Sequence, residues 1–129
     1  MIQQEGPGWR LARDPQRSPY GVLIGGESWA VELTDNEAGA LASLIADLVG
    51  HHAALCGQLM DEEQITLELE RTPWWGCLEG DRLAWSLQLI LKPVDLGRRG
   101  VEVSWPAPAA EAAAAAMRTL WDIPNDQLN

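Results

Sequence analysis

The chain contains no phenylalanine and only two cysteines, Cys56 and Cys77, among its 129 residues. The cysteines do not form a CxxC motif, and with only two histidines they cannot supply the two spaced ligand pairs of a zinc finger. We predict that both thiols are reduced and structural. His52 and Cys56, four residues apart, would share one face of a helix, and we predict that both lie in the core.

The sequence pattern also lacks targeting and membrane-spanning segments. The first ten residues, "MIQQEGPGWR", contain no apolar run of the kind that a signal peptide needs. No window reaches the ~20 consecutive apolar residues that cross a membrane. We therefore expect a cytoplasmic protein without a membrane partner.

Positive charge is missing from a large part of the chain. Residues 18–70 contain ten acidic residues and neither lysine nor arginine, whereas nine basic residues balance nine acidic ones in the rest of the chain. The net charge of −10 therefore originates in this one segment. Because such a segment repels phosphate backbones, a basic protein fits the charge better than a nucleic acid as a partner.

The common catalytic and cofactor-binding motifs are absent. The sequence has no P-loop, no glycine-rich dinucleotide fingerprint and no HExxH. The segment "GESWA" begins like a nucleophile elbow, but the elbow places its serine between a strand and a helix, and Ser28 opens a strand instead. We therefore predict no catalytic residue, no cofactor and no metal site, and we rank a metal-dependent enzyme last among three functional hypotheses.

The sequence does contain two runs of strands that each lead into a helix. The segments "WRLARDP", "YGVLIGG" and "SWAVELT" predict three antiparallel strands. Thr34 and Glu37 then form the capping box of a helix whose apolar spacing continues to Met60. Because glycine weakens a helix, we expect a bend or fray near Gly50 or Gly57. Strands follow at "QITLELERT", "GCLEGDRLAWSLQLIL" and "RRGVEVSW", of which the middle segment is a hairpin. The Ala-rich "AAEAAAAAMRTLWD" predicts a second helix that ends before Pro124.

This order of elements predicts an α+β fold of two antiparallel sheets, each followed by a helix. We expect one domain, residues 1–129, with an internal pseudo-repeat of roughly residues 8–60 and 64–122. The two strand-to-helix junctions, "WAVELTDNEAGAL" and "GVEVSWPAPAAEA", resemble each other and support the repeat.

The segment "MDEEQITLELE", residues 60–70, concentrates five carboxylates. The first three would lie at the predicted helix C-terminus, where the dipole disfavours each negative charge by about 0.3–1 kcal/mol. Period 2 places the other two on the solvent face of a strand. Three interpretations stay open: a solvated turn, a docking surface for a basic partner, and a hard-cation site. The five residues are Asp61, Glu62, Glu63, Glu68 and Glu70.

Seven tryptophans take the place of the missing phenylalanine. Large indoles are expected to fill the helix-to-sheet interface, and we predict that Trp29, Trp85 and Trp105 lie in the core. Two tryptophans are adjacent, so in a strand they point in opposite directions and one of them is exposed. An exposed indole beside a basic side chain can stack on a single-stranded base. The candidate contacts for that alternative are Trp74, Trp75, Arg98 and Arg99.

Several segments, taken in order, resemble a cyanobacterial family, the domain of unknown function 1818. They are "GWRLARDP", "GGESWAVELTDNE", "LMDEEQITLELE", "AWSLQLIL" and "RRGVEVSWPA". The resemblance implies no activity, but it implies a fold similar to the single-stranded-DNA-binding regulators Whirly and positive cofactor 4. A fold alone does not transfer DNA binding to a chain with this charge. We therefore rank a non-catalytic protein-interaction module with an acidic surface first and a single-stranded nucleic-acid-binding protein second.

Overall fold

The computed structural model describes residues 1–93 and 99–122. The elements in this part of the chain are β1 (Ile2–Gly6), β2 (Trp9–Arg13), β3 (Val22–Gly26), β4 (Ala30–Leu33), α1 (Asp35–Cys56), β5 (Ile65–Arg71), β6 (Trp74–Gly80), β7 (Trp85–Leu91), β8 (Val101–Trp105) and α2 (Ala109–Asp122). They form two four-stranded antiparallel sheets, in the orders β1-β2-β3-β4 and β5-β6-β7-β8. A helix follows each sheet along the chain, which confirms the predicted α+β class.

The strand β1 is missing from the sequence prediction, which begins the first sheet at Trp9. Its segment "IQQEG" carries a single apolar side chain, so the segment does not show period 2. It becomes a strand because it pairs with β2 along its whole length, from Ile2 opposite Arg13 to Gly6 opposite Trp9. Gly8 turns this hairpin with a φ of +80°, a conformation that favours glycine. The first sheet therefore has four strands and not the predicted three.

Helix α1 begins at the predicted capping box. Thr34 Oγ1 accepts a hydrogen bond from Glu37 N at 3.2 Å, and Glu37 Oε1 accepts one from Thr34 N at 2.9 Å. The helix ends at Cys56, so the predicted end at Met60 is wrong. The chain turns at Gly57, since glycine is a poor helix former and no basic side chain in the last turn opposes the dipole.

The apolar face of α1 is buried, as its spacing predicts, and Leu41, Leu44 and Leu48 are fully enclosed. His52 is also buried, which confirms its prediction, but Cys56 is only half-buried and is not a core residue. By length and composition alone, α1 is apolar enough to cross a membrane, a property that counting consecutive apolar residues misses. A helix that covers a sheet passes the same test, and the leucine face of α1 packs on the second sheet.

Each helix covers the sheet of the other half of the chain. Helix α1 follows the first sheet but packs mainly on β5 and β6, whereas α2 follows the second sheet and packs on β1 and β2 as well as on β7. The packing is close at Gly76 of β6, where an added Cβ would lie 2.8 Å from Leu44 Cδ2 and 3.1 Å from Leu48 Cδ1. The two halves of the chain therefore share their apolar core.

Two tryptophans join the sheets at a seam beside β8. Trp105 Nε1 donates to the carbonyl oxygen of Gly25 at 2.9 Å, and Trp29 Nε1 donates to that of Ser104 at 3.2 Å. The two indole rings lie 5.4 Å apart. Trp105 and Trp85 are buried, as predicted, while Trp29 is half-buried and packs against the core. Indoles thus supply both apolar area and hydrogen bonds across this seam.

Candidate interaction surface on the second sheet

The acidic turn, which we define as residues 61–63, follows the end of α1 and does not belong to its last helical turn. Asp61, Glu62 and Glu63 are all exposed. Asp61 Oδ1 lies 2.6 Å from Arg82 Nη2, but the two side chains are 79% and 39% exposed, so this ion pair contributes little to stability. The prediction that these carboxylates sit on the helix C-terminus is wrong because α1 already ends at Cys56.

Glu68 and Glu70 lie on the solvent face of β5, as period 2 predicts. Glu70 Oε1 is 3.2 Å from Lys92 Nζ, again at the surface. The acidic segment therefore divides into two groups, the turn and the strand. Among the described residues, no group of three or more His, Cys, Asp and Glu side chains is arranged to hold a metal ion.

The outer face of the second sheet, on the side away from α1, brings β5 carboxylates together with residues far along the chain. The register aligns Glu70 with Trp75, Trp75 with Ile90 and Ile90 with Glu102 across four strands. Trp75 and Ile90 are half-buried, while the glutamates at the two ends of this row are exposed. The centre of the face is therefore apolar and its ends are negatively charged.

Two further carboxylates flank this row. Glu68 precedes Glu70 by two positions on β5, and Glu79 is exposed on β6. Burial raises the pKa of the Cys77 thiol on β6 above its ordinary 9.0, and the charges of Glu68 and Glu79 raise that pKa further. The two carboxylates therefore act on the same buried group from adjacent strands, which shows a negative field at this face. We call the following six residues the acidic face: Glu68, Glu70, Trp75, Glu79, Ile90 and Glu102.

Sequence reasoning missed three members of the acidic face, Glu79, Ile90 and Glu102. Period 2 shows which residues share one face of a strand, but it does not show which residues of different strands lie opposite each other. The missing members could have been found from the alternation of side chains along β6, β7 and β8, together with the positions of the turns that set the pairing of these strands.

Trp74, one of the candidate contacts for single-stranded nucleic acid, is not accessible to a base. Its side chain is 0% exposed, and its Nε1 donates to the carbonyl oxygen of Glu37 at 2.9 Å, so it cannot stack on a base. It is buried because it begins β6 on the core face, which leaves Trp75 on the outer face. Trp75 is half-buried and remains accessible in part.

Of the two predicted arginine contacts, the structure describes Arg99, which pairs with a residue of α1. Arg99 Nη2 lies 2.5 Å from Glu37 Oε1 at the start of α1, and its guanidinium lies over the Tyr20 ring at 5.1 Å. The charge of Arg99 is therefore neutralised by an acidic partner on another element. Arg98 lies outside the described residues.

Comparisons with known proteins identify a family and a solved structure, both described as of unknown function. No curated protein matches the chain. A crystal structure from Prochlorococcus sp. NATL2A, described as a protein with unknown function from the DUF155 family, matches with a TM-score of 0.89 and 45% sequence identity. The match covers 95% of this chain and 100% of that chain. A profile described as "Domain of unknown function (DUF1818)" matches residues 4–120, and the chain therefore belongs to the DUF1818 family.

Proposed function

We propose that the protein is a non-catalytic protein-interaction module whose acidic face binds a basic segment of a partner protein. The observation that carries the proposal is the central row of the acidic face, where half-buried Trp75 and Ile90 lie between Glu70 and Glu102. An apolar centre with a polar rim is the usual composition of a docking site, and tryptophan is enriched among the residues that dominate binding energy.

The position of the helices leaves this face accessible. Helix α1 packs on β5 and β6 from the core side, and α2 reaches β7 from the same side, so neither of the two described helices covers the outer face. The face stands on three seven-residue strands and β8, which hold its side chains in a fixed register. A partner would meet a surface that needs little ordering on binding.

The charge of the face indicates the chemistry of the partner. Four glutamates surround the apolar centre, and Lys92, which pairs with Glu70, offsets only part of that charge. A partner segment with lysine or arginine at its edges and an apolar side chain between them fits this arrangement. The carboxylates would accelerate the encounter and reject acidic competitors.

The proposal includes two further points that follow from the same chain. It places the protein in the cytoplasm, where thiols stay reduced, in keeping with the free Cys56 and Cys77. It also includes a fold of the Whirly and positive cofactor 4 type, which the twice-repeated order of four strands and one helix supports.

The test is a pull-down from a cyanobacterial extract with matched variants. The first variant is Trp75→Ala, and the second replaces Glu68, Glu79 and Glu102 by glutamine. The control replaces Glu5 and Glu27, exposed carboxylates of the first sheet and its β3–β4 turn, by glutamine. We expect one basic protein to be recovered by the parent and the control, and lost in both acidic-face variants and at high salt. Equal recovery by all four proteins, or recovery of an acidic partner, would contradict the proposal.

A second candidate function, single-stranded nucleic-acid binding, is favoured by a cleft beside the first sheet. This cleft, about 900 Å³ in volume, is lined by half-buried Trp9 and Trp29 and by exposed Arg10. Two aromatic rings beside an arginine can stack on bases and contact a phosphate. However, Glu5 and Glu27 also line the cleft and repel phosphates, so we rank this function second.

Fluorescence anisotropy with mixed-sequence single-stranded DNA and RNA at ~50 mM salt separates the two candidates. Sub-micromolar binding that weakens steeply with salt and disappears in Trp9→Ala would reverse our ranking. We expect no binding, because the protein carries a net charge of −10.

A further inference from the structure

We propose that the groove between α1 and α2 binds a small hydrophobic amine, whose ammonium group donates to the carboxylate of Glu111. The groove has a volume of about 660 Å³, within the usual range of small-molecule sites. Both helices pack on the core side of the second sheet, so the groove is separate from the acidic face.

The floor of the groove is apolar. It is formed by Ile45 of α1, Met117 of α2 and Trp85 of β7, which are all buried. The groove stays open because small residues line its α1 side, and at Gly50 an added Cβ would meet nothing within 4 Å. The apolar body of a ligand would remove this floor from water, which favours binding.

The two helices run antiparallel along the groove. Trp121 in the last turn of α2 lies beside Gly39 near the start of α1, where an added Cβ would be 3.3 Å from the indole Cζ2. Glu111 precedes Trp121 by ten residues, so it lies about 15 Å further toward the C-terminal end of α1. Ala53, in the last turn of α1, also lines the groove, and that turn has no basic side chain. This end of the groove is therefore negatively charged.

Glu111 has an enclosed oxygen without a donor. Its Oε1 has less than 1 Å² of accessible surface and no hydrogen-bond partner among the described residues. Glu111 is the third residue of α2, and at the same position of α1 Glu37 accepts the N–H of Thr34. The residue before α2 is Pro108, which has no N–H, so the helix cap cannot supply the donor.

The position of Glu111 in the helix does not explain this oxygen. The dipole favours a glutamate in the first turn of a helix, but an exposed carboxylate would serve the dipole equally well. An enclosed acceptor without a donor costs free energy, and such groups are rare in folded proteins. A ligand that brings the donor would remove this cost.

An ammonium group is the donor that fits this carboxylate. Its hydrogen bonds to a carboxylate are charge-assisted and therefore stronger than those of a neutral donor. The terminal torsion of a glutamate is soft, so the carboxylate can turn an oxygen toward a bound head group. Arg118, two turns along α2, lines the groove but is exposed, so its charge stays hydrated and an anionic ligand gains less there.

The first experiment compares three probes that share one apolar chain. Octylamine, octanol and octanoate are titrated into the full chain at neutral pH, and binding is measured by isothermal titration calorimetry. We expect octylamine to bind at least about tenfold more tightly than octanol, because its hydrogen bond to Glu111 is charge-assisted. Octanoate should bind more weakly than octylamine by at least the same factor. If octanol or octanoate binds as tightly as octylamine, the proposal is overturned.

Two variants test the place of binding. Glu111→Gln keeps the shape of the side chain but removes its charge, and Gly50→Leu fills the groove with a better helix former. We expect both to weaken octylamine binding about tenfold or more, with the fold checked by circular dichroism. The controls are Glu27→Gln, which removes one exposed negative charge elsewhere, and Trp75→Ala on the acidic face. Both controls should bind octylamine like the parent.

Other occupants of the groove would give different results. If Trp75→Ala, and not Glu111→Gln, loses octylamine, the amine binds the acidic face and the proposal is overturned. If sedimentation equilibrium shows a dimer that Gly50→Leu dissociates, a second copy of the chain covers the groove, which also overturns the proposal. The comparison of the three probes uses the parent protein alone, so it decides the matter even if a variant does not fold.

Discussion

The two sheets share their strand order and antiparallel pairing but present different outer faces. In the first sheet, Glu5 lies opposite Arg10, which is opposite Gly25. The Arg10 side chain lies over that glycine, where an added Cβ would be 2.8 Å from Arg10 Cγ. In the corresponding position, the second sheet has Trp75 opposite Ile90. A repeated architecture therefore does not carry a repeated surface, and the longer strands of the second sheet form the candidate docking face.

Within the second sheet, different tryptophans hold the two sheets together and form the solvent-facing surface. Trp105 and Trp75 belong to the same sheet, but Trp105 faces the core and bonds to the first sheet, while Trp75 faces outward. If this division is correct, stability and partner binding should respond to different tryptophans.

The largest expected effect is that of Trp105→Ala. The substitution leaves a cavity at the seam and removes the hydrogen bond to Gly25, and large-to-small changes of this kind cost about 3–5 kcal/mol. Urea denaturation, followed by circular dichroism, should show the loss in one transition because each helix covers the sheet of the other half. Trp75→Ala serves as the control and should cost much less. Two separate unfolding transitions would contradict a core shared by the two halves of the chain. Equal losses of unfolding free energy in Trp105→Ala and Trp75→Ala would contradict the division between core and surface tryptophans.

A smaller effect is expected at Gly76, on the core face of the second sheet. A Cβ there meets Leu44 and Leu48, so Gly76→Ala forces α1 away from β6, and overpacking of this kind costs about 1–3 kcal/mol. The control is Gly50→Ala at an exposed position of α1, where an added Cβ would meet nothing within 4 Å. That change should stabilise the helix by about 1 kcal/mol. Opposite signs in urea denaturation are therefore expected, and a neutral Gly76→Ala would show that α1 does not press on β6.

The sequence predicted those parts of the fold that depend on local pattern. Period 2 located β5 and its outward Glu68 and Glu70, and the capping box located the start of α1 at Thr34. The sequence-based prediction failed where a strand or a contact depends on pairing between segments that are distant along the chain. The strand β1 exists because β2 pairs with it, and Ile90 joins Trp75 only through the register of β6 and β7.

The packing of each helix on the sheet of the other half of the chain could not be predicted from local pattern either. The apolar face of α1 shows that it must pack on a sheet, but period and composition do not show which one. The end of α1 was placed at Met60 because apolar residues continue beyond Gly57. The poor helix propensity of glycine indicated a bend or fray near Gly57, where the helix in fact ends.

The stability of the protein at alkaline pH should depend on Cys77. The raised pKa of Cys77 means that the folded protein keeps the thiol proton at a pH where the unfolded chain has lost it. This contribution is complete below pH 9.0 and is lost as the pH rises from there through the folded pKa. We therefore expect the parent to lose more unfolding free energy than Cys77→Ser between neutral pH and about pH 10, measured in reductant. Parallel curves for the parent and Cys77→Ser would count against a perturbed Cys77.

The smallest effect is expected at the acidic turn, and it sharpens the distinction between a charged segment and a charged surface. Glu62→Gln with Glu63→Gln should change the unfolding free energy by no more than about 0.5 kcal/mol, because both side chains are exposed. The helix dipole acts only within the last turn, and α1 ends at Cys56, so relief of repulsion from the dipole should not add to this value. Urea denaturation of the double variant beside the parent measures it. The same variant should also keep its partner in the pull-down if the acidic face, and not the turn, makes the contact. A stability gain well above this limit would place the two carboxylates on the helix end after all, and loss of the partner would extend the docking surface from β5 into the turn.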